Sequence, residues 1–166
     1  MTVQEPFTPD PPSVRKRNSA KALVVVDGRV LLTRNRDREG DFFLLPGGGQ
    51  RFGETLHEAA VREVLEETGY SVVPGELVLV REYIGRNHEF ADEEGDVHQV
   101  EFVFLAGLAS PEPAAQASPD AWQTGVDWVP VEEVPGTRIY PSVLSELIPK
   151  LMAGVYDGPL YLGDVN

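Results

Sequence analysis

The stretch that decides the fold is "GGGQRFGETLHEAAVREVLEETGY", residues 47–70 of a chain of 166 residues. It opens with glycines and then runs from Thr55 to Thr68 without Gly or Pro, in residues that mostly favour helix. Gly69 follows at the place where a glycine commonly ends a helix. The stretch therefore predicts a glycine-rich loop followed by one helix, and that helix is crowded with glutamates.

Three glutamates of the predicted helix, Glu63, Glu66 and Glu67, project from neighbouring turns within an arc of roughly 100°. Like charges at this spacing cost a helix on the order of 0.2–0.5 kcal/mol per pair, and a bound cation relieves that cost. Carboxylate oxygens with loop carbonyls nearby suit a hard divalent ion such as Mg²⁺ or Mn²⁺. A solvated acidic helix face accounts for the same residues, so the helix alone leaves both interpretations open.

The loop before the helix favours the metal site. Residues 47–49 and Gly53 are glycines, which adopt backbone conformations closed to other residues and leave their carbonyls unshielded. Arg62 stands beside the acidic arc and can pair with Glu54 or with a helix carboxylate, which would hold that carboxylate in one orientation. The loop and the helix together indicate a metal site far more specifically than either part alone.

The combined pattern resembles the signature of the Nudix hydrolase family, in which glycines, glutamates and an arginine recur at fixed spacing. The resemblance covers residues 48–70, and its last position holds Tyr70 where an aliphatic residue is more usual. Arg51 also departs from a frequent pattern, since many members have an acidic residue there. The residues at signature positions are Gly48, Glu54, Arg62, Glu63, Val64, Glu66, Glu67, Gly69 and Tyr70.

The resemblance implies an α/β fold, the α/β/α sandwich of Nudix proteins with a mixed β-sheet. It also implies that the chain hydrolyses a nucleoside diphosphate linked to another group, or a nucleoside triphosphate, by attack of water on phosphorus. Mg²⁺ or Mn²⁺ would assist this reaction. Carried over by position, Glu63, Glu66, Glu67 and the Gly47 carbonyl are metal ligands, while Glu54 and Arg62 support them.

Two other functions stay open at this point. One is a catalytically silent Nudix domain that senses nucleotides, which the intact carboxylates disfavour. The other is a pyrophosphohydrolase acting on RNA 5′ ends, which the formal net charge of −13 disfavours.

Members of this family commonly draw a general base or a further metal ligand from a loop outside the signature. The sequence offers an acidic loop over residues 86–96, and it offers Asp120 in a Pro- and Ala-rich stretch before Trp128. Asp120 is the preferred candidate for the base, because it stands almost alone among uncharged residues. For each of these acids a solvated surface position is the competing interpretation.

The rest of the chain predicts one domain over residues 19–166. Alternating apolar residues predict a hairpin at Asp27-Gly28 and two long strands after the helix, and a second helix is predicted from Pro141 to Met152. Residues 1–18 are rich in Pro and polar side chains and predict a flexible N-terminal tail. The basic residues Arg15, Lys16, Arg17 and Lys21 are interpreted as part of a solvated tail.

Composition restricts the partners. The strongly negative net charge disfavours DNA, and the sequence contains no apolar run of about eighteen residues that could cross a membrane. The chain has no cysteine, which removes disulfides and thiolate chemistry. A cytoplasmic protein is expected, the resemblance implies a small nucleotide as its substrate, and a homodimer is compatible with the sequence.

Overall fold

A nine-stranded mixed sheet with three α-helices makes up the protein in the computed structural model, which describes residues 14–114 and 119–166. Within these ranges no helix is long and apolar enough to cross a membrane. The strands are β1 (Arg15–Val26), β2 (Arg29–Asp37), β3 (Gly40–Leu44), β4 (Gly47–Gly49), β5 (Val72–Ile84), β6 (Val97–Leu108), β7 (Gln123–Pro130), β8 (Ile139–Tyr140) and β9 (Tyr161–Asp164). The helices are α1 (Leu56–Thr68), α2 (Ala91–Glu94) and α3 (Leu144–Met152).

The sheet lies between α1 and α3, as expected for an α/β/α sandwich. Its order is β8-β3-β2-β1-β6-β5-β9, with β4 paired to β1 and β7 paired to β2. Successive side chains of a strand point to opposite faces. Ala20 and Ala22 of β1 accordingly pack in the clusters formed with α1, whereas Leu23 packs with Leu147 and Ile148 of α3. The predicted fold class is confirmed.

Helix α1 has the ends that its sequence predicts. The Thr55 hydroxyl accepts a hydrogen bond from the Glu58 amide at 3.2 Å, and the Glu58 carboxylate accepts one from the Thr55 amide at 2.7 Å. This reciprocal pair satisfies amides that a helix start leaves without partners. Gly69 ends the helix with φ of +77°, a conformation that favours glycine. The glutamates therefore lie on a helix that is fixed at both ends.

Strand β4 joins the glycine loop to the centre of the sheet. Residues 47–49 pair antiparallel with Ser19 to Lys21 of β1. Gly47 has φ of +132°, and a Cβ atom built on it would lie 2.2 Å from the Ala20 carbonyl oxygen. Only glycine fits this position, because a side chain would be strained and would collide with the neighbouring strand. The pairing sets the loop glycines beside α1.

The first strand begins before residue 18, the predicted end of the tail. Strand β1 begins at Arg15 and pairs in parallel with β6 from its first residue, with Arg15 opposite Val97. The Arg15 guanidinium also donates two hydrogen bonds of 2.8 Å to the carboxylate of Asp96. These partners are about eighty residues away in sequence, so local composition did not reveal them. Residues 1–13 of the predicted tail lie outside the described part of the chain.

A chain that begins at Ser19 should therefore be less stable than one that begins at Val14. Removing residues 14–18 deletes the first four register pairs between β1 and β6. Each lost hydrogen bond costs about 0.5–1.5 kcal/mol, so a loss of about 2 kcal/mol and a melting temperature lower by about 4–8 °C are expected. Thermal unfolding of the two truncated chains measures this difference. Equal melting temperatures would show that this part of β1 contributes nothing to stability.

Candidate active site

Arg62 ties the glycine loop to the acidic face of α1. Its Nε and Nη2 atoms donate to the two carboxylate oxygens of Glu54 at 2.5 and 2.9 Å, and Nη2 also donates to the Gly49 carbonyl at 3.0 Å. This guanidinium, together with the Arg51 amide, lowers the pKa of Glu54 to about 2. Glu54 is therefore an anion held by Arg62, which is one of the two pairings that the sequence left open.

The other side of the same guanidinium holds two of the predicted metal ligands. Arg62 Nη1 donates to Glu63 Oε1 at 2.6 Å and to Glu66 Oε2 at 3.3 Å. Glu66 also lies 3.6 Å from a guanidinium nitrogen of Arg51. A Cβ atom on Gly48 would lie 2.7 Å from the Glu63 carboxyl carbon, so this glycine makes room for the carboxylate. The structure brings Glu63 and Glu66 together beside the loop.

Glu67 is the buried member of the three glutamates, with 5% of its surface exposed. Its Oε2 atom accepts a hydrogen bond of 2.9 Å from the Gly47 amide. Burial raises the pKa of Glu67 to about 7, since it disfavours the charged form. The charge of Asp120 raises this pKa further, while Lys21 and the Gly47 amide lower it.

Lys21 is a site residue that the sequence interpretation placed in the solvated tail. It lies in β1, opposite Gly47, and its ammonium group donates a hydrogen bond to the Gly47 carbonyl oxygen. Its charge also reaches Glu67 and Glu101, where it favours the ionised carboxylates. A cation therefore already stands at the carbonyl that was predicted to bind metal.

Arg81 and Glu101 form a buried ion pair near Lys21. Arg81 Nε donates to Glu101 Oε1 at 2.9 Å, and the Gln99 amide donates to Glu101 Oε2 at 3.0 Å. Burial disfavours the charged form of Glu101, yet Arg81 and Lys21 hold its pKa below the ordinary value. Charged residues inside two largely apolar strands were the available signal for this pair, which sequence reasoning missed.

Asp120 lies on the same side of the molecule as the end of α1. It is exposed, and its backbone carbonyl accepts a hydrogen bond of 2.9 Å from the Gln123 amide. The Gln123 side chain in turn donates to the backbone carbonyl of Glu67 at 2.7 Å. The chain around Asp120 is thus attached to the helix that carries the glutamates.

The competing acidic loop makes other contacts. Glu94 accepts a hydrogen bond from the Tyr83 hydroxyl at 2.7 Å, and Glu89 accepts one from Asn166 at 2.7 Å. Asp96 is paired with Arg15. Three of the acids in this loop are therefore engaged away from α1.

The donor set fits Mg²⁺ or Mn²⁺. Three carboxylates and one carbonyl are the oxygen ligands that these ions prefer, and the Lys21 ammonium shows that the Gly47 carbonyl accepts a cation. In the described part of the chain, however, no three Asp, Glu, His or Cys side chains are arranged around one point. Arg62 draws Glu63 and Glu66 toward itself, while Glu67 turns to the Gly47 amide.

Comparisons with known proteins agree with this fold. A solved NUDIX hydrolase from Nitrosomonas europaea superimposes with a TM-score of 0.68 at 22% identity, covering 87% of this chain and all of that one. An RNA pyrophosphohydrolase from Novosphingobium aromaticivorans is 46% identical over 59 residues, which are 35% of each chain.

A longer sequence match links the chain to a Mycobacterium tuberculosis protein named for mutator protein MutT4. The two are 33% identical over 138 residues, covering 76% of this chain and 49% of that protein. The chain thus spans about half the length of this relative. The profile of the NUDIX domain matches residues 15–151. The chain therefore belongs to the NUDIX family.

Proposed function

We propose that this protein is a divalent-metal-dependent pyrophosphohydrolase. Its substrate is a nucleoside diphosphate linked to another group, or a nucleoside triphosphate, and water attacks a phosphorus atom of the phosphate chain. The observation that carries the proposal is the contact of Arg62 with Glu54, Glu63 and Glu66, which gathers the loop and the acidic helix face into one site. The neighbouring family members in sequence and structure support a hydrolase.

In this proposal Glu63, Glu66, Glu67 and the Gly47 carbonyl hold Mg²⁺ or Mn²⁺. The bound ion would neutralise phosphate oxygens and make water a better nucleophile. Glu54 keeps Arg62 in place, so that the guanidinium fixes the positions of Glu63 and Glu66. Lys21 supplies a further positive charge at the Gly47 carbonyl, next to the proposed metal. These cations account for the binding of a polyanion by a chain of net charge −13.

Asp120 is proposed as the general base. Its charge acts on Glu67, and Gln123 attaches the surrounding chain to α1, whereas Glu94 and Asp96 are engaged elsewhere. These contacts support Asp120 as the carboxylate that would take a proton from the attacking water.

Replacing Asp120 with asparagine should lower kcat by about 100-fold or more, with a smaller change in KM, because a general base contributes about 10²–10⁴-fold. The acidic limb of the pH–rate profile should also disappear. Steady-state rates across pH measure both effects. Glu93→Gln is the matched control, since Glu93 is an exposed acid of the 86–96 loop, and it should change neither. A loss of rate in Glu93→Gln instead would move the base to that loop.

A panel of nucleotides tests the proposal itself. Sugar nucleotides, dinucleoside polyphosphates, nucleoside triphosphates and RNA with a 5′-triphosphate are incubated with Mg²⁺, Mn²⁺ or a chelator, and the products are identified by mass. We expect products cut within the phosphate chain, only when metal is present, from one or more of the small nucleotides. Absence of any cleavage would contradict the proposal and favour a nucleotide sensor.

The similarity to an RNA pyrophosphohydrolase over 59 residues gives the RNA alternative its support. Turnover of 5′-triphosphate RNA, with none on free nucleotides, would establish that alternative. A homodimer and a cytoplasmic location stay predictions.

A further inference from the structure

Two cations are assigned to one oxygen atom of the candidate active site. The Lys21 ammonium donates a hydrogen bond to the Gly47 carbonyl, and the proposed function gives that same carbonyl to Mg²⁺ or Mn²⁺. Gly47 is buried, and an ammonium repels a neighbouring divalent ion most strongly where burial lowers the dielectric constant. One cation must therefore give way when the other binds.

The Gly47 carbonyl itself is held in place. Gly47 pairs with Lys21 between β4 and β1, and its amide donates to Glu67 Oε2 at 2.9 Å. The preceding residue is held as well, because the Pro46 carbonyl accepts a hydrogen bond of 2.9 Å from the Ala22 amide. A lysine, by contrast, carries its ammonium on a flexible four-carbon chain. The Lys21 ammonium is therefore the partner that can move.

Glu101 offers the Lys21 ammonium a second position on the same face of the sheet. In the parallel pairing of β1 with β6, Glu101 lies opposite Ser19, two residues before Lys21. Paired residues of neighbouring strands share a face, and so do alternate residues of one strand. Diagonal neighbours of this kind lie within reach of a long side chain. The charge of Lys21 already acts on Glu101, where it favours the ionised carboxylate.

The Glu101 carboxylate is buried, but it has room for a further donor. Arg81 Nε donates to its Oε1 atom at 2.9 Å, and the Gln99 amide donates to its Oε2 atom at 3.0 Å. An ionised carboxylate has about four acceptor positions, so these two bonds leave some of them open. Arg81 is itself held by a hydrogen bond of 2.7 Å to the Val165 carbonyl. Glu101 is therefore a fixed acceptor for a lysine that moves toward it.

We propose that Lys21 and the divalent ion exchange at the Gly47 carbonyl, and that the ammonium moves to Glu101 when Mg²⁺ or Mn²⁺ binds that oxygen. The inference rests on the proposed function, in which this carbonyl is a metal ligand, and it adds roles for Lys21 and Glu101. Lys21 lowers the affinity of the chain for metal, because metal binding displaces it from its hydrogen bond. Glu101 restores part of that affinity, because it receives the displaced charge.

Calorimetric titration of the full chain with Mn²⁺, without nucleotide, tests the exchange through binding rather than turnover. Lys21→Met removes the ammonium and keeps a long side chain, so Mn²⁺ should bind about tenfold more tightly than to the unmodified chain. Glu101→Gln removes the charge that receives the ammonium, so Mn²⁺ should bind about tenfold more weakly. In the double variant no ammonium has to move, and the affinity should match that of Lys21→Met.

Lys150→Met is the matched control, since Lys150 is exposed on α3 and the substitution removes the same charge. It should bind Mn²⁺ as the unmodified chain does. Thermal melts show whether each variant is folded. If Glu101→Gln is not folded, Lys21→Met decides alone, because the loss of a merely structural lysine would not tighten metal binding.

Unchanged or weaker Mn²⁺ binding by Lys21→Met would overturn the exchange, and so would an equal loss from Glu101→Gln with and without Lys21. Glu66→Gln separates this outcome from the proposed function. If that variant loses the Mn²⁺ binding of the unmodified chain, the metal site stands whatever Lys21→Met does. If neither the unmodified chain nor Lys21→Met binds Mn²⁺, the proposed metal site and the exchange both fail.

Discussion

Replacing Glu67 or Glu66 with glutamine should lower turnover by about 1,000-fold, because a metal ligand contributes several kcal/mol to the barrier and each 1.36 kcal/mol is about tenfold. The fold should persist. A glutamine at position 67 retains an oxygen for the Gly47 amide, and at position 66 the substitution removes one of several like charges on α1. Initial rates at saturating metal and thermal melts of the same samples measure the two quantities.

Glu132→Gln is a suitable control, because Glu132 is exposed and lies outside α1. Its rate and melting temperature should match those of the unmodified chain. Full activity in both helix variants would show that α1 does not hold the metal.

Alanine should have different effects at two adjacent glycines: it should lower activity at Gly48 and lower stability at Gly47. A Cβ on Gly48 would collide with the end of the Glu63 side chain at 2.7 Å, which can move aside. Gly48→Ala should therefore melt within about 3 °C of the unmodified chain and lose about 10- to 100-fold in activity, the usual cost of disturbing a ligand's surroundings. A titration with Mn²⁺ should show weakened binding.

Gly47→Ala places its Cβ against backbone, 2.2 Å from the Ala20 carbonyl oxygen, at φ of +132°. Strain of this kind costs about 1–3 kcal/mol, so the melting temperature should fall by about 5 °C or more.

If Gly48→Ala bound Mn²⁺ normally and kept its activity, the Glu63 carboxylate would have no part in the metal site.

The local part of this structure could be predicted from the sequence. Helix α1, its glycine end at Gly69 and the pairing of Arg62 with Glu54 all depend on residues that are close in the chain. Spacing alone places such residues on one helix face or at one helix end.

The site features that the sequence analysis missed depend on strand register. Lys21 was interpreted as tail because four basic residues follow a proline-rich segment, and only the pairing of β1 with β4 brings it to the Gly47 carbonyl. Arg81 and Glu101 meet because β5 and β6 pair antiparallel with these residues opposite each other. Register between distant strands is set by tertiary packing, so local composition does not predict it.

Hydrolysis in water enriched with heavy oxygen tests the central claim most directly. The best substrate from the nucleotide panel is hydrolysed with Mn²⁺ and, in parallel, with a chelator. The mass of each product is then measured by mass spectrometry. We predict that one phosphate product carries a single heavy oxygen atom, that the other product carries none, and that the chelated sample yields no product. Label in the ribose or base, or the same turnover without metal, would contradict a metal-dependent attack of water on phosphorus.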